Sequence, residues 1–164
     1  MKKIMFNDKY GLTDAVLEGR KTMTRRLAPE GATLTESRYQ VDEIIAVAQS
    51  YKDVIYTDGL PHPLVAKPGF TNKMYVRADL MPHQIRITSV RIERIQDISD
   101  EDCLREGIVK ALGLYGCEGV CERGDQLFFC NPREAFAALI DRVSGKGTWQ
   151  RNPWVFVYSF ELVK

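Results

Sequence analysis

The chain has 164 residues, of which 45% are hydrophobic, and its formal net charge is +1. This length and composition predict one domain over residues 1–164 with its own core, carrying insertions near residues 57–72 and 111–130. A charge this close to zero excludes a global attraction to nucleic acid, so any basic surface must arise from local clustering.

In the first half of the chain, short apolar runs predict strands and one helix. Leu12, Ala15 and Val16 repeat at helical spacing, and Gly19 is a natural stop because a residue there often needs a positive φ. Strands are predicted over residues 3–6, 21–27 and 43–48. Residues 57–72 hold several prolines and glycines and predict a long irregular loop.

The second half of the chain predicts strand, helix, helix and strand. Residues 85–95 are extended, but their apolar phase shifts midway, which predicts a β-bulge near Thr88–Ser89. Ser99 caps a short helix that ends at Gly107 and leaves Glu106 in its last turn, where a carboxylate opposes the helix dipole. Asn131 starts a second helix, and residues 154–163 form a strand buried on both faces.

This order of elements predicts an α+β fold. A first and a last strand around a bulged sheet favour a partly closed β-barrel with helices packed on its outside.

The most reactive stretch is Gly19-Arg20-Lys21-Thr22-Met23-Thr24-Arg25-Arg26. It places four cationic side chains and two hydroxyls within eight residues. Cations of this density attract anions, and a lysine beside a hydroxyl can support acyl chemistry. The alternative is that these charges are solvated at a strand edge.

The pattern Gly19-x-Lys21-x-x-Thr24-x-Arg26 resembles the signature of the ASCH domain, a branch of the PUA-like β-barrel superfamily. The acidic segment 96–107 is similar to the later helix of that family, and the ending 152–161 to its longer, phage- and prophage-associated members. The resemblance implies a single PUA-like ASCH domain over residues 1–164, whose basic cleft binds a nucleoside, a nucleotide or an RNA element.

A small bacterial branch of ASCH proteins hydrolyses N4-acetylcytidine with a lysine, a threonine and a glutamate. Carried onto this chain, the resemblance implies Lys21, Thr24 and Glu106 as catalytic residues. A threonine hydroxyl needs a base, and lysine serves only when burial or nearby like charges lower its pKa. In a regular strand Thr24 and Arg26 share a face and Lys21 points away, so Lys21 joins them only from the turn after Gly19 or across a bulge.

Further ligand contacts are predicted from charge and aromatic character. Arg20, Arg25 and Arg26 would hold an oxyanion or a phosphate. Trp149 would offer a stacking surface or cover the core, and Tyr51 follows a strand that points toward the same cleft.

A zinc site is the alternative for Cys117, Cys121 and Cys130, with Cys103 or His83 as fourth ligand, but a second closely spaced pair is missing. We therefore expect reduced thiols, no metal and no cofactor. The N-terminal residues show no secretory signal, and no run is long enough to span a membrane, which predicts a cytoplasmic protein without membrane contact. A third functional class is a phage or prophage accessory protein that works through residues 57–72 and 111–130.

Overall fold

The structure, a computed structural model, describes residues 1–58, 62–117 and 128–164. Its strands are β1 (Lys3–Ile4), β2 (Met23–Leu27), β3 (Ile44–Val47), β4 (Gln84–Arg94), β5 (Val109–Ala111), β6 (Leu114–Gly116) and β7 (Trp154–Leu162). Its helices are α1 (Leu12–Leu17), α2 (Tyr51–Asp58), α3 (Asp100–Arg105), α4 (Pro132–Ser144) and α5 (Thr148–Arg151). The α+β class predicted from the sequence is confirmed.

Five strands form one mixed sheet in the order β1-β3-β4-β7-β2, and β5 and β6 form a separate hairpin. Only the β1–β3 pair is parallel. The edge strands β1 and β2 share no ladder pairing within the described ranges, so a closed barrel is not seen there. The open edges of β1 and β2 instead leave a gap between them, where a pocket of the candidate site lies.

The predicted bulge in β4 is confirmed. Its register against β7 shifts between Ile87 and Ser89, which leaves Thr88 without a partner residue. An extra residue on one strand reverses the facing of the side chains beyond it. This explains why the apolar residues of β4 change from odd to even positions.

Strand β7 lies between β4 and β2 and is buried on both faces, as predicted. Val155 and Val157 are fully buried on one face, and Phe156, Tyr158 and Phe160 pack on the other. Thr24 lies opposite Tyr158 and Arg26 opposite Phe156. Directly opposed residues share a face of a sheet, so Thr24 and Arg26 lie on the aromatic face.

Two helix caps hold the elements around the site in place. The Ser99 side chain accepts a hydrogen bond from the backbone N–H of Asp102, and the Asn131 side chain accepts one from that of Glu134. Both predicted helix starts are therefore confirmed. The helix α2 was not predicted, although Tyr51, Val54 and Ile55 lie at helical spacing and are buried.

Candidate functional site

A turn rather than a strand presents Lys21. Gly19 has a φ of +73°, and the backbone N–H groups of Arg20 and Lys21 both donate to the carbonyl of Ala15 at 2.8 Å. Strand β2 begins only at Met23. The alternation of a strand therefore does not apply to Lys21, and its side chain reaches the same cavity as Thr24.

The Lys21 ammonium is buried and fully hydrogen-bonded. Its side chain is 2% exposed and that of Glu106 is 5% exposed. Nζ donates to the Glu106 carboxylate at 2.7 Å, to the Glu106 carbonyl at 2.7 Å and to the Met23 carbonyl at 2.8 Å. Three acceptors match the three protons of an ammonium, so these hydrogen bonds favour the charged form.

Burial acts in the opposite direction on the same group. The pKa of Lys21 is lowered from its ordinary value, chiefly because burial removes water from the ammonium, while the Glu106 carboxylate opposes that shift. Arg26 and Arg25 lower the pKa of Lys21 further. A buried lysine with a lowered pKa is the condition that acyl chemistry at Thr24 would need.

The second carboxylate oxygen of Glu106 binds Arg25. Arg25 donates to Glu106 at 3.1 Å, to Glu93 at 2.6 Å and to Asp102 at 3.1 Å. Arg91 reaches the same Asp102 at 2.7 Å. We call Lys21, Glu106, Arg25, Glu93, Asp102 and Arg91 the ion network. Its side chains link β2, β4 and α3.

Thr24 faces a small cavity beside the ion network. This cavity, the inner cavity, has a volume of about 100 Å³. It is lined by Met5, Phe6, Asn7, Leu12, Lys21, Thr24, Arg25, Arg26, Glu106, Phe136, Leu139, Ile140, Val143 and Ser144. No hydrogen bond holds the Thr24 side chain within the part of the chain that the structure describes. The inner cavity therefore brings the three predicted catalytic residues together around an uncommitted hydroxyl.

A larger pocket opens between the edge strands β1 and β2. This seam pocket has a volume of about 300 Å³ and is lined by Lys3, Met5, Arg26, Leu27, Glu36, Arg38, Tyr39, Phe156 and Tyr158. It shares Met5 and Arg26 with the inner cavity. Arg26 crosses the gap, because its Nη2 donates to the Met5 carbonyl at 2.6 Å. The aromatic rings of Tyr39, Phe156 and Tyr158 contribute to the walls.

Two of the three predicted arginine contacts pair with acids of this chain. Arg25 is committed to three carboxylates. Arg20 pairs with Glu18 at 2.6 Å beyond the end of α1 and lines neither cavity. Of the motif's arginines, Arg26 alone lines the seam pocket, and a basic cleft that also includes Arg20 and Arg25 stays a prediction.

Neither predicted aromatic contact reaches the two cavities. Tyr51 is 2% exposed in a separate core cluster beneath α2, where its hydroxyl accepts a hydrogen bond from the Arg77 backbone N–H. Trp149 packs edge-on against Phe136 with a ring-centroid distance of 6.1 Å, and Arg133 lies over its other side. Trp149 covers the core, which was the alternative interpretation of this residue.

Sequence reasoning missed Arg38 and Tyr39. They follow a short 3₁₀ turn over Leu34–Glu36, and the backbone N–H of Arg38 donates to the Tyr158 hydroxyl at 3.2 Å. The segment has no apolar periodicity that would predict its position. The one available signal was that an arginine and a tyrosine stand next to each other in a polar loop. The partners of Arg25 on β4 and α3 were missed for a similar reason, since they lie 68 and 77 residues away in the sequence.

Cys121, one of the three predicted zinc ligands, lies outside the described residues. Cys103 is buried in the main core, and burial raises the pKa of its thiol to about 12. No group of three or more metal-binding side chains occurs among the residues the structure describes.

No family model and no curated protein sequence matches the chain. Two crystal structures are similar to it. A protein of Enterococcus faecalis V583, assigned to the family model DUF984, is 16% identical with a TM-score of 0.49, over 99% of this chain and 80% of that chain. An ASCH domain from Lactobacillus crispatus JV V101 is 17% identical with a TM-score of 0.45, over 96% of this chain and 76% of that chain.

Both TM-scores lie below 0.5, and the ASCH-like fold stays a prediction of the motif. The comparisons leave the phage association as a prediction. None of the helices in the described ranges is both long enough and apolar enough to cross a membrane.

Proposed function

We propose that the chain binds a nucleoside-type ligand, free or as part of RNA, in the seam pocket and the adjoining inner cavity. The observation that supports this proposal is the junction of the two cavities at Met5 and Arg26. Together they offer about 300 and 100 Å³, which lies in the range of small-molecule sites. An aromatic wall suits a nucleobase, and the Thr24 hydroxyl and the Glu106 carboxylate would read its edge or a substituent.

Binding of nucleosides tests this proposal directly. Cytidine, uridine, adenosine and guanosine would be titrated by ligand-observed NMR against the protein and a Met5→Trp variant. The indole would fill the junction, so we expect the signal of the bound nucleoside to disappear. Met74→Trp is the matched control, since Met74 is 56% exposed and lines neither cavity. Absence of binding at millimolar nucleoside, or equal binding by Met5→Trp, would overturn the proposal.

Amide hydrolysis is the second candidate, supported by the arrangement of Lys21, Thr24 and Glu106 around the inner cavity. The Thr24 oxygen would attack the acyl carbon and its proton would pass to a neutral Lys21. The amine leaves with a proton, and water then releases the carboxylic acid from the acyl-threonine. A volume of about 100 Å³ accommodates roughly three waters at their liquid density, so an acyl group that enters it must be small.

Thr24→Val is the sharper test of hydrolysis. Valine keeps the shape of threonine and removes only a hydroxyl that no described residue binds, whereas Lys21 variants also break the ion network. Incubation with N4-acetylcytidine, followed by chromatography for cytidine, should give product with the wild type and none with Thr24→Val. Equal product from both would exclude Thr24 as nucleophile. No product from either would remove this activity and leave the site as a binding site.

A further inference from the structure

The cations of the seam pocket lack acidic partners. Neither Arg26 nor Arg38 forms an ion pair with any residue that the structure describes. Arg26 donates to the Met5 carbonyl and lies over the Phe6 ring at 5.7 Å. The Arg38 guanidinium lies 5.7 Å from the centroid of its neighbour Tyr39. The other cations of the motif, Arg20, Lys21 and Arg25, each pair with a carboxylate. Arg26 and Arg38 differ from them in lacking such a pair among the described residues.

The carboxylates close to the seam pocket are already occupied. Glu36 accepts hydrogen bonds from the backbone N–H and the hydroxyl of Thr33 at 2.6 and 3.2 Å. Glu43 pairs with Lys2 at 2.9 Å and accepts from the backbone N–H of Gln40. The lining residues Lys3, Arg26 and Arg38 therefore face only one acid, Glu36, and the pocket carries an excess of positive charge.

The two guanidiniums also act on each other. Arg26 is an exposed residue, and partial loss of hydration is the first cause of its lowered pKa. The nearby tyrosines and Glu106 oppose that shift, and the positive charge of Arg38 adds to it. Two neighbouring like charges are stabilised when an anion lies between them.

We infer that the ligand of the seam pocket carries a phosphate, which Arg38 and Arg26 hold at the mouth of the pocket while the base lies against the aromatic wall. This inference rests on the proposed function and adds the charge of its ligand. Guanidinium groups bind phosphate oxygens in a planar, bidentate way, and the interaction is stronger than a neutral hydrogen bond. Arg38 is then the residue that distinguishes a nucleotide from a nucleoside.

A phosphate ester can come from a free nucleotide or from RNA, and calorimetric titrations separate the two. The ligands are the four nucleosides, their 5′-monophosphates and a single-stranded oligoribonucleotide, each at 50 and 200 mM salt. We expect at least one monophosphate to bind tenfold or more tightly than its nucleoside, with an advantage that shrinks at high salt. If the oligoribonucleotide binds more tightly than the monophosphate and equally depends on Arg38, the phosphate belongs to RNA. If it binds more weakly than the monophosphate, the ligand is a free nucleotide.

Arg38→Gln should lower the affinity for the monophosphate far more than the affinity for the nucleoside, so that the advantage of the monophosphate disappears. Arg20→Gln is the matched control, since Arg20 belongs to the same motif but pairs with Glu18 away from both cavities. Equal affinity for nucleoside and monophosphate, or an advantage that survives Arg38→Gln, overturns the phosphate inference while nucleoside binding stands. If neither nucleosides nor any phosphorylated ligand bind, the proposed function and this inference fall together.

Discussion

Arg25 and Arg26 are neighbours in one motif and have opposite surroundings. Arg25 is 1% exposed at its side chain and contacts three carboxylates. Arg26 crosses to the other face of β2, contacts a carbonyl and an aromatic ring, and lines the seam pocket. The pleat of a strand separates consecutive side chains onto opposite faces. Of these two adjacent cations, Arg25 therefore binds acids of the chain itself, and Arg26 faces the proposed ligand site.

This contrast extends to the regions around the two residues. The centre of the ion network, Lys21, Arg25 and Glu106, is buried, and the charges of the network are balanced within the chain, so its members should control stability. The seam pocket is open and its charges are unbalanced, so its members should control binding. Substitutions of similar size in the two regions can break or sharpen that distinction.

The largest effect is expected for Glu106→Gln. The change leaves Lys21 and Arg25 buried next to a neutral amide, and removing one member of a buried ion pair typically costs about 3–5 kcal/mol. Urea denaturation should show that loss in the free energy of unfolding. Adding Lys21→Met to this variant should restore part of it, because one uncompensated charge disappears. A loss below about 1 kcal/mol would show that the ion network contributes no more than a surface pair.

The second largest effect is the difference in stability expected between Arg25 and Arg26 variants. Arg25→Gln leaves three carboxylates with a weaker partner and should lower the free energy of unfolding by about 2–4 kcal/mol. Arg26→Gln, with the same change of side chain one residue later, should remain within about 0.5 kcal/mol of the wild type. Thermal and urea unfolding of the two variants under identical conditions decides the matter. Equal losses would mean that the two arginines share one structural role.

The sequence predicted the members of the inner cavity better than its surroundings. Lys21, Thr24 and Glu106 converge because Gly19 and Gly107 end their helices and Lys21 lies in a turn, all of which are local signals. Tyr51 was misplaced because it begins a helix and packs with Val54 and Ile55 in a separate core cluster. Arg38 was missed because its loop has no period. The commitment of Arg25 to Glu93 and Asp102 depends on tertiary contacts that no local pattern encodes.

Gly107 tests whether backbone geometry maintains the ion network. It has a φ of +108°, and a Cβ there would lie 3.0 Å from Leu12 Cδ2 and 3.7 Å from Lys21 Cδ. Strain and crowding together predict a loss of about 2–3 kcal/mol in unfolding free energy for Gly107→Ala. Gly31→Ala is the control, since Gly31 has a φ of +74° with nothing within 4 Å of the new Cβ. Its cost should be about 1 kcal/mol, and equal losses would show that crowding at Gly107 is negligible.

The smallest effect concerns Cys103, which lies in α3 behind the ion network. Burial raises the pKa of its thiol from 9.0 to about 12, so the unfolded chain loses the proton before the folded chain does. The stabilisation is thus complete below pH 9 and declines as the pH rises toward 12. Between pH 8 and 10 the wild type should lose about 1.4 kcal/mol more unfolding free energy than Cys103→Ala. Urea denaturation of both proteins at both pH values measures this difference, in which the titration of all other groups cancels. An unchanged difference would mean that the Cys103 thiol ionises as readily in the folded protein as in the unfolded chain, against its burial in the core.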